Sequence, residues 1–166
     1  MYTSLQSFLD DLRNESGKTI QILGAMTDNS LSQRVTESGR TAGTLAWHMV
    51  TSRSDMMRRF ELEHKGPTEE DPEPPTAAGI VEGYQLLTAA LESQAAENWT
   101  DDSLAEVREL YGESWSLSKT LNILIRHEIH HRAQLTVLLR QAGLRIPGVY
   151  GPAYEEWSDL GMEPLP

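Results

Sequence analysis

SLSKTLNILIRHEIHHRAQLTVLLRQAG, residues 116–143, contains the longest helical pattern in the sequence. Its apolar residues recur at three- and four-residue spacings, which is typical of an amphipathic helix with one face in a core. Gly143 suits the position just after a helix end, and Pro147 beyond it prevents continuation. The pattern predicts a long helix over about residues 116–142.

Three earlier blocks show the same periodicity and predict helices over about residues 3–26, 41–64 and 76–97. Their apolar stripes are Leu5, Phe8, Leu12, Ile20, Leu23 and Met26, then Leu45, Met49, Met56 and Phe60, then Ile80, Tyr84, Leu87 and Leu91. Thr41 is a suitable N-cap. Polar residues 27–40 and the segment 66–76, with four prolines and four acidic residues, predict loops. The alternation in residues 99–114 fits either a short strand pair or a helical turn.

Four long helices joined by loops predict an all-α protein with an up-and-down four-helix bundle. A chain of 166 residues is long enough for one full core and short for two, so a single domain over residues 1–166 is expected.

The charge balance disfavours two classes of partner. With 25 Asp and Glu against 14 Lys and Arg, the net charge is −11, which opposes contact with nucleic-acid phosphates or an anionic membrane. No apolar run approaches the roughly 18–20 residues of a membrane span, and the first residues lack the features of a signal peptide. A cytoplasmic protein is expected. The absence of cysteine excludes thiolate ligands and leaves five histidines as the nitrogen ligands available to a metal.

His127 and His131 lie one turn apart on the apolar face of the last predicted helix. They could be satisfied core residues, or their nitrogens could converge on one ion. His48, in TLAWHMV of the second predicted helix, could supply a third nitrogen. Three neutral imidazoles leave coordination positions free for water or substrate, which is typical of catalytic rather than structural sites.

The other polar residues near these histidines carry weaker expectations. Gln134 and Asp55 are candidates to orient the imidazoles, with buried or solvated polar residues as the alternative. Glu128 is expected on the exposed side of its helix, so no general base is named. His64 is expected to be a solvated residue at a helix C-terminus, and His130 a flanking contact or a partly exposed side chain.

HEIHH, residues 127–131, also satisfies the H-E-x-x-H pattern of zinc peptidases, in which Glu128 would be the general base. Such an enzyme needs a third ligand downstream, and Glu155 or Glu156 is the nearest candidate. It also needs an edge strand to hold a peptide, which the pattern does not provide. The peptidase is therefore the weaker alternative.

Three stretches carry a family resemblance. LNILIRHEIHHRAQLTVLLRQAG, TLAWHMV and IPGVYGPAYEEW resemble the last helix, the first metal histidine and the closing segment of the DinB/YfiT-like superfamily. The resemblance implies one divalent ion per chain, nickel or zinc, bound by His48, His127 and His131. It also implies a homodimeric bundle with the DinB/YfiT-like metalloenzyme fold.

The resemblance further implies a metal-dependent enzyme that acts on a small molecule. The reaction would be hydrolysis by metal-bound water, or transfer involving a low-molecular-weight thiol that brings its own sulfur. A non-catalytic dimeric helical module is the main alternative. The tail residues Tyr150, Tyr154 and Trp157 could line a pocket mouth over the metal, or could pin the C-terminus to the bundle.

Overall fold

The computed structural model describes residues 1–163, and long helices dominate it. The helices are α1, Leu5–Gly24; α2, Ala42–Arg59; α3, Ala77–Asn98; and α4, Leu117–Gln141. The hairpin of β1, Val107–Leu110, and β2, Glu113–Ser116, precedes α4. Short 3-10 turns cover Asp28–Ser32, Asp102–Ala105, Tyr154–Glu156 and Ser158–Leu160. The predicted all-α fold class is confirmed, and no helix within residues 1–163 is both long and apolar enough to cross a membrane.

Hydroxyl side chains begin all four long helices. Each accepts a hydrogen bond from the backbone N–H three residues further on, which satisfies a donor that the helix leaves unpaired. These N-caps are Ser4, Thr41, Thr76 and Ser116. The end of α4 is also as predicted, because Gly143 adopts a φ of 79°, which only glycine adopts without strain.

The end of α2 differs from the prediction. Glu61 adopts a φ of 58°, and the Leu62 N–H donates to the Met57 carbonyl, so the chain reverses direction soon after Arg59. His64 is therefore not at the helix C-terminus, and the expectation of a solvated cap residue is wrong. Its half-buried ring folds back onto α2, with Nε2 3.1 Å from the hydroxyl of Ser54.

The segment between α3 and α4 contains the strand pair, one of the two structures that the alternation allowed. The strands are joined by Tyr111 and Gly112, with φ angles of 54° and 80°. Both residues of a two-residue hairpin turn of this type need a positive φ, which is uncommon for tyrosine. The tyrosine hydroxyl donates to Asp55 on α2 at 3.0 Å, which ties the hairpin to the bundle.

The helices do not alternate in direction along the chain. Val50 of α2 lies beside Gly83 of α3, and Phe60 and Trp99 pack together beyond the far ends of the same helices, so α2 and α3 run parallel. This differs from the simple up-and-down order. The proline-rich segment 60–76 is long enough to return along α2, which is about 27 Å long at 1.5 Å per residue. Around the bundle the order is α1, α4, α2, α3.

One buried carboxylate, that of Glu128, connects all four helices. It accepts hydrogen bonds from Thr19 of α1 at 2.7 Å and from Tyr84 of α3 at 2.5 Å, and it pairs with Arg53 of α2. Burial raises the pKa of Tyr84 to about 12, so the phenol remains a donor. Glu128 is only 4% exposed, and the prediction that it lies on the exposed side of α4 is wrong. Charged and hydroxyl partners from three other helices make its burial possible.

A second buried ion pair joins α1 to α4. Arg132 donates to the Glu15 carboxylate at 2.6 Å, and the Tyr150 hydroxyl contacts both side chains. Tyr150 thus pins the C-terminal segment to the bundle, which is one of the two roles predicted for the aromatic residues of the tail. Tyr154 is largely exposed.

Removing Arg53 should leave the Glu128 carboxylate buried with no counter-charge. We expect Arg53→Met to lower the free energy of unfolding by about 3–5 kcal/mol. The matched control is Arg13→Met, because the Arg13–Glu92 pair also joins two helices but is exposed. Its loss should cost no more than about 1 kcal/mol. Urea denaturation measures both values, and equal losses in the two variants would contradict a structural role for the buried pair.

Candidate metal centre

Three imidazoles meet between α2 and α4. His48 Nε2 lies 3.2 Å from His127 Nε2, and His131 Nε2 lies 3.1 Å from the same atom. One nitrogen from each ring lies within 4.8 Å of the other two, and the group could hold a metal ion. The structure thus brings together all three residues that were predicted as ligands, while their role as ligands stays a prediction.

The helices explain why these side chains meet. His127 and His131 are four residues apart on α4, so their side chains leave the helix on the same side, one turn apart. Helix α2 packs against that side and presents His48 to the pair. His131 is buried, whereas His48 and His127 are half-buried.

Gln134 orients His131, as predicted. Its Oε1 lies 2.8 Å from His131 Nδ1, and its Nε2 lies 3.1 Å from a ring nitrogen of the exposed His130. Because the amide oxygen only accepts, Nδ1 of His131 carries the hydrogen, an assignment made from the hydrogen-bond network. In the neutral ring, Nε2 of His131 therefore presents its lone pair to the other two imidazoles.

Hydrogen bonds between neutral rings account for at most one of the two short contacts of His127 Nε2. That nitrogen can donate its hydrogen to His131, or it can accept one from His48, but it cannot do both. A cation between three lone pairs satisfies all of them. At a metal–nitrogen distance of about 2.1 Å, two ligands of a tetrahedral or octahedral site are about 3.0–3.4 Å apart. The two observed separations, 3.2 Å and 3.1 Å, fit that range.

The surroundings favour the neutral imidazoles that a metal requires. Burial holds the pKa values of His48 and His131 below the ordinary value, and it lowers the pKa of His127 to about 4. The positive charge of Arg40 and the neighbouring histidines act in the same direction. A proton on any of these rings would face other cationic groups in a partly desolvated site.

Two cavities flank the three histidines. The larger, of about 390 Å³, touches His131 and is lined by Arg40, Gln134 and mainly apolar side chains. The smaller, of about 200 Å³, touches His127 and is lined in part by Tyr111 of the hairpin. A small molecule could therefore reach the histidines from either side.

Several other predicted site residues lie elsewhere. The Asp55 carboxylate accepts hydrogen bonds from Arg58, Arg59 and Tyr111, so it orients no imidazole, and the alternative of a buried polar residue is the one observed. Glu155 pairs with Arg140, and Glu156 accepts from the backbone of the closing segment.

The same geometry weakens the peptidase alternative. The carboxylate of Glu128 is held in the core, away from the histidines, and neither Glu155 nor Glu156 joins them. The third nitrogen beside His127 and His131 comes instead from upstream, from His48.

Two residues at this site, Arg40 and Tyr111, were not predicted from the sequence. Arg40 lies in the polar segment that was predicted only as a loop, and Tyr111 lies in the region whose structure was left open. A positively charged residue just before a helix that carries a candidate ligand is the one available signal for Arg40. No pattern in the sequence distinguishes Tyr111 from other exposed aromatic residues.

The chain resembles known proteins over nearly its whole length. The family model described as "DinB family" matches residues 1–164. The "Uncharacterized protein YrdA" of Bacillus subtilis strain 168 is 37% identical over 163 residues, which are 98% of this chain and 98% of that protein.

Solved structures of DinB-like proteins have a similar fold. A DinB-like protein from Bacillus cereus ATCC 10987 is similar, with a TM-score of 0.86 and 37% identity over 90% of this chain and 100% of that one. The DinB-like protein YjoA from Bacillus subtilis shares the fold with a TM-score of 0.66 and 17% identity, over 86% of this chain and 97% of that one.

The lowered histidine pKa values should make the metal-free protein less stable as the solution becomes acidic. Unfolding restores ordinary histidine pKa values near 6.5, so between pH 7 and pH 5 the unfolded chain binds more protons than the folded one. The free energy of unfolding should fall across this interval, and it should fall less in His127→Gln. Urea denaturation with a chelator present measures both slopes, and identical slopes would contradict the lowered pKa of His127.

Proposed function

Since the chain belongs to the DinB family, we propose that it is a metal-dependent enzyme that acts on a small molecule. One observation carries the proposal: three imidazole nitrogens from two helices lie within 4.8 Å of one another. The proposed ligands are His48, His127 and His131, with one divalent ion per chain, nickel or zinc. Three nitrogen ligands leave positions for a substrate or water, and the flanking cavities offer room for one.

A divalent ion at such a site would act as a Lewis acid, able to polarise a carbonyl and to lower the pKa of a coordinated water or thiol. The side chains of the protein hold the three imidazoles neutral and fix the tautomer of His131 through Gln134. The proposed reactions are hydrolysis and transfer of a low-molecular-weight thiol. The chain contains no cysteine, so the thiol sulfur would belong to the cosubstrate.

Glu128 is not part of the proposed chemistry. Its carboxylate is occupied by Thr19, Arg53 and Tyr84, which hold it in the core next to the position of His127 on α4. Homodimer formation and a cytoplasmic location stay predictions.

Metal content tests the ligand set. We expect protein purified without an affinity tag to contain close to one nickel or zinc ion per chain, measured by elemental mass spectrometry. His48→Ala should lose the ion, because the two remaining imidazoles form an incomplete site. His130→Ala is the matched control, since this exposed histidine neighbours His131 but lies outside the group.

Full metal content in His48→Ala would show that His48 is not a ligand. No metal in the wild type, even after incubation with nickel and zinc salts, would favour the non-catalytic module instead.

Gln134 should contribute to affinity without binding the metal. Loss of its hydrogen bond frees the His131 ring to rotate and to change tautomer, so Gln134→Ala should bind zinc about 10–100-fold more weakly. Gln141→Ala, at an exposed position on the same helix, should bind as the wild type does. Competition with a chromophoric chelator measures the affinities. Equal zinc affinity in all three proteins would leave Gln134 without this role.

A further inference from the structure

The larger cavity has two chemically different parts. Its walls are mostly aliphatic, from Leu45 of α2 and from Val137 and Leu138 of α4. Its polar lining includes Arg40, from the segment before α2, together with His131. The cavity therefore joins an apolar space and a guanidinium to one edge of the three-histidine group.

Arg40 is an exposed side chain and one of four lysines and arginines that form no ion pair within residues 1–163, and it is the one of the four that lines the larger cavity. Most lysines and arginines pair with a carboxylate, including the two buried arginines of the core. Within residues 1–163, no acidic side chain lies within 4.0 Å of the Arg40 guanidinium. In a chain with a net charge of −11, an unpaired arginine beside a cavity leaves its donors available to an anion.

The electrostatic surroundings point in the same direction. Among the described residues that line the cavity, Arg40 is the one lysine or arginine, and none is acidic. The cavity edge is thus locally positive although the whole protein is strongly negative. This local charge complements an anionic group and opposes a cationic one.

We propose that Arg40 binds the carboxylate of a small substrate whose apolar part fills this cavity and whose reacting group reaches the three histidines. The proposal rests on the proposed function and adds the class of its substrate, a small aliphatic carboxylic acid or a derivative that keeps one free carboxylate. A guanidinium binds a carboxylate through two parallel hydrogen bonds.

The size of the cavity limits the substrate. At about 30 Å³ per atom, the value for water in the liquid, its volume of about 390 Å³ holds roughly a dozen non-hydrogen atoms. Cavities of this size are at the lower end of the range for small-molecule sites. Hexanoate is therefore a suitable probe, and hexanamide is its uncharged counterpart.

Titration by NMR tests the proposal on zinc-loaded and zinc-free protein. Hexanoate should shift the methyl signals of Val137 and the ring signals of His131, and its dissociation constant should rise about tenfold in Arg40→Gln. Added salt should weaken binding to the wild type more than to the variant. Hexanamide should bind the two proteins equally, since it does not need the charge.

Arg34→Gln is the matched control, because Arg34 is an exposed arginine of the same segment that does not line the cavity. Its dissociation constant for hexanoate should equal that of the wild type. Equal hexanoate binding in Arg40→Gln, shifts confined to another part of the protein, or no hexanoate binding by the wild type would each overturn the proposal.

The two forms of the protein separate this proposal from the proposed function. If the chain binds no zinc but zinc-free protein binds hexanoate through Arg40, the metal-dependent function fails and carboxylate recognition stands. If zinc binds through the three histidines and the dissociation constant of hexanoate does not change in Arg40→Gln, the carboxylate proposal alone fails.

Discussion

All four helices meet at the buried carboxylate of Glu128. It accepts hydrogen bonds or an ion pair from one residue of each of the other three helices: Thr19, Arg53 and Tyr84. Aliphatic packing alone allows a helix to rotate or slide by small amounts, whereas a charge that is buried with directional partners does not. Because His127 is the preceding residue of α4, the same contacts that hold Glu128 in the core aim His127 towards α2.

The centre that results combines neutral donors with positive surroundings. Burial lowers the pKa values of the three imidazoles, and Arg40 adds a positive charge at the edge of the larger cavity. Protons are thus disfavoured at the histidines, while a metal ion gains three ligands and an anion gains a partner. The overall charge of −11 does not reveal the positive charge at this cavity. Acidic residues elsewhere pair with most of the remaining lysines and arginines.

Much of this architecture could be predicted from local patterns. Helix geometry alone places His127 and His131 on one side of α4 together with the apolar stripe. Both features can therefore be predicted without knowing which helices pack against α4. The burial of Glu128 could not be predicted in this way, because its partners are separated from it by up to 109 residues along the chain. The end of α2 was missed for another reason: Glu61 stands where helices that end in this way usually have glycine. The parallel course of α2 and α3 depends on how the long segment between them folds back, which no periodicity encodes.

Anomalous diffraction at the nickel and zinc absorption edges, from crystals of untagged protein, would show whether a metal is bound and which side chains hold it. The claim under test is that His48, His127 and His131 form one metal centre between α2 and α4. The account predicts one anomalous peak per chain, about 2.0–2.2 Å from Nε2 of each of the three imidazoles. A well-ordered crystal with no peak between α2 and α4, or with a peak held by other side chains, would contradict it.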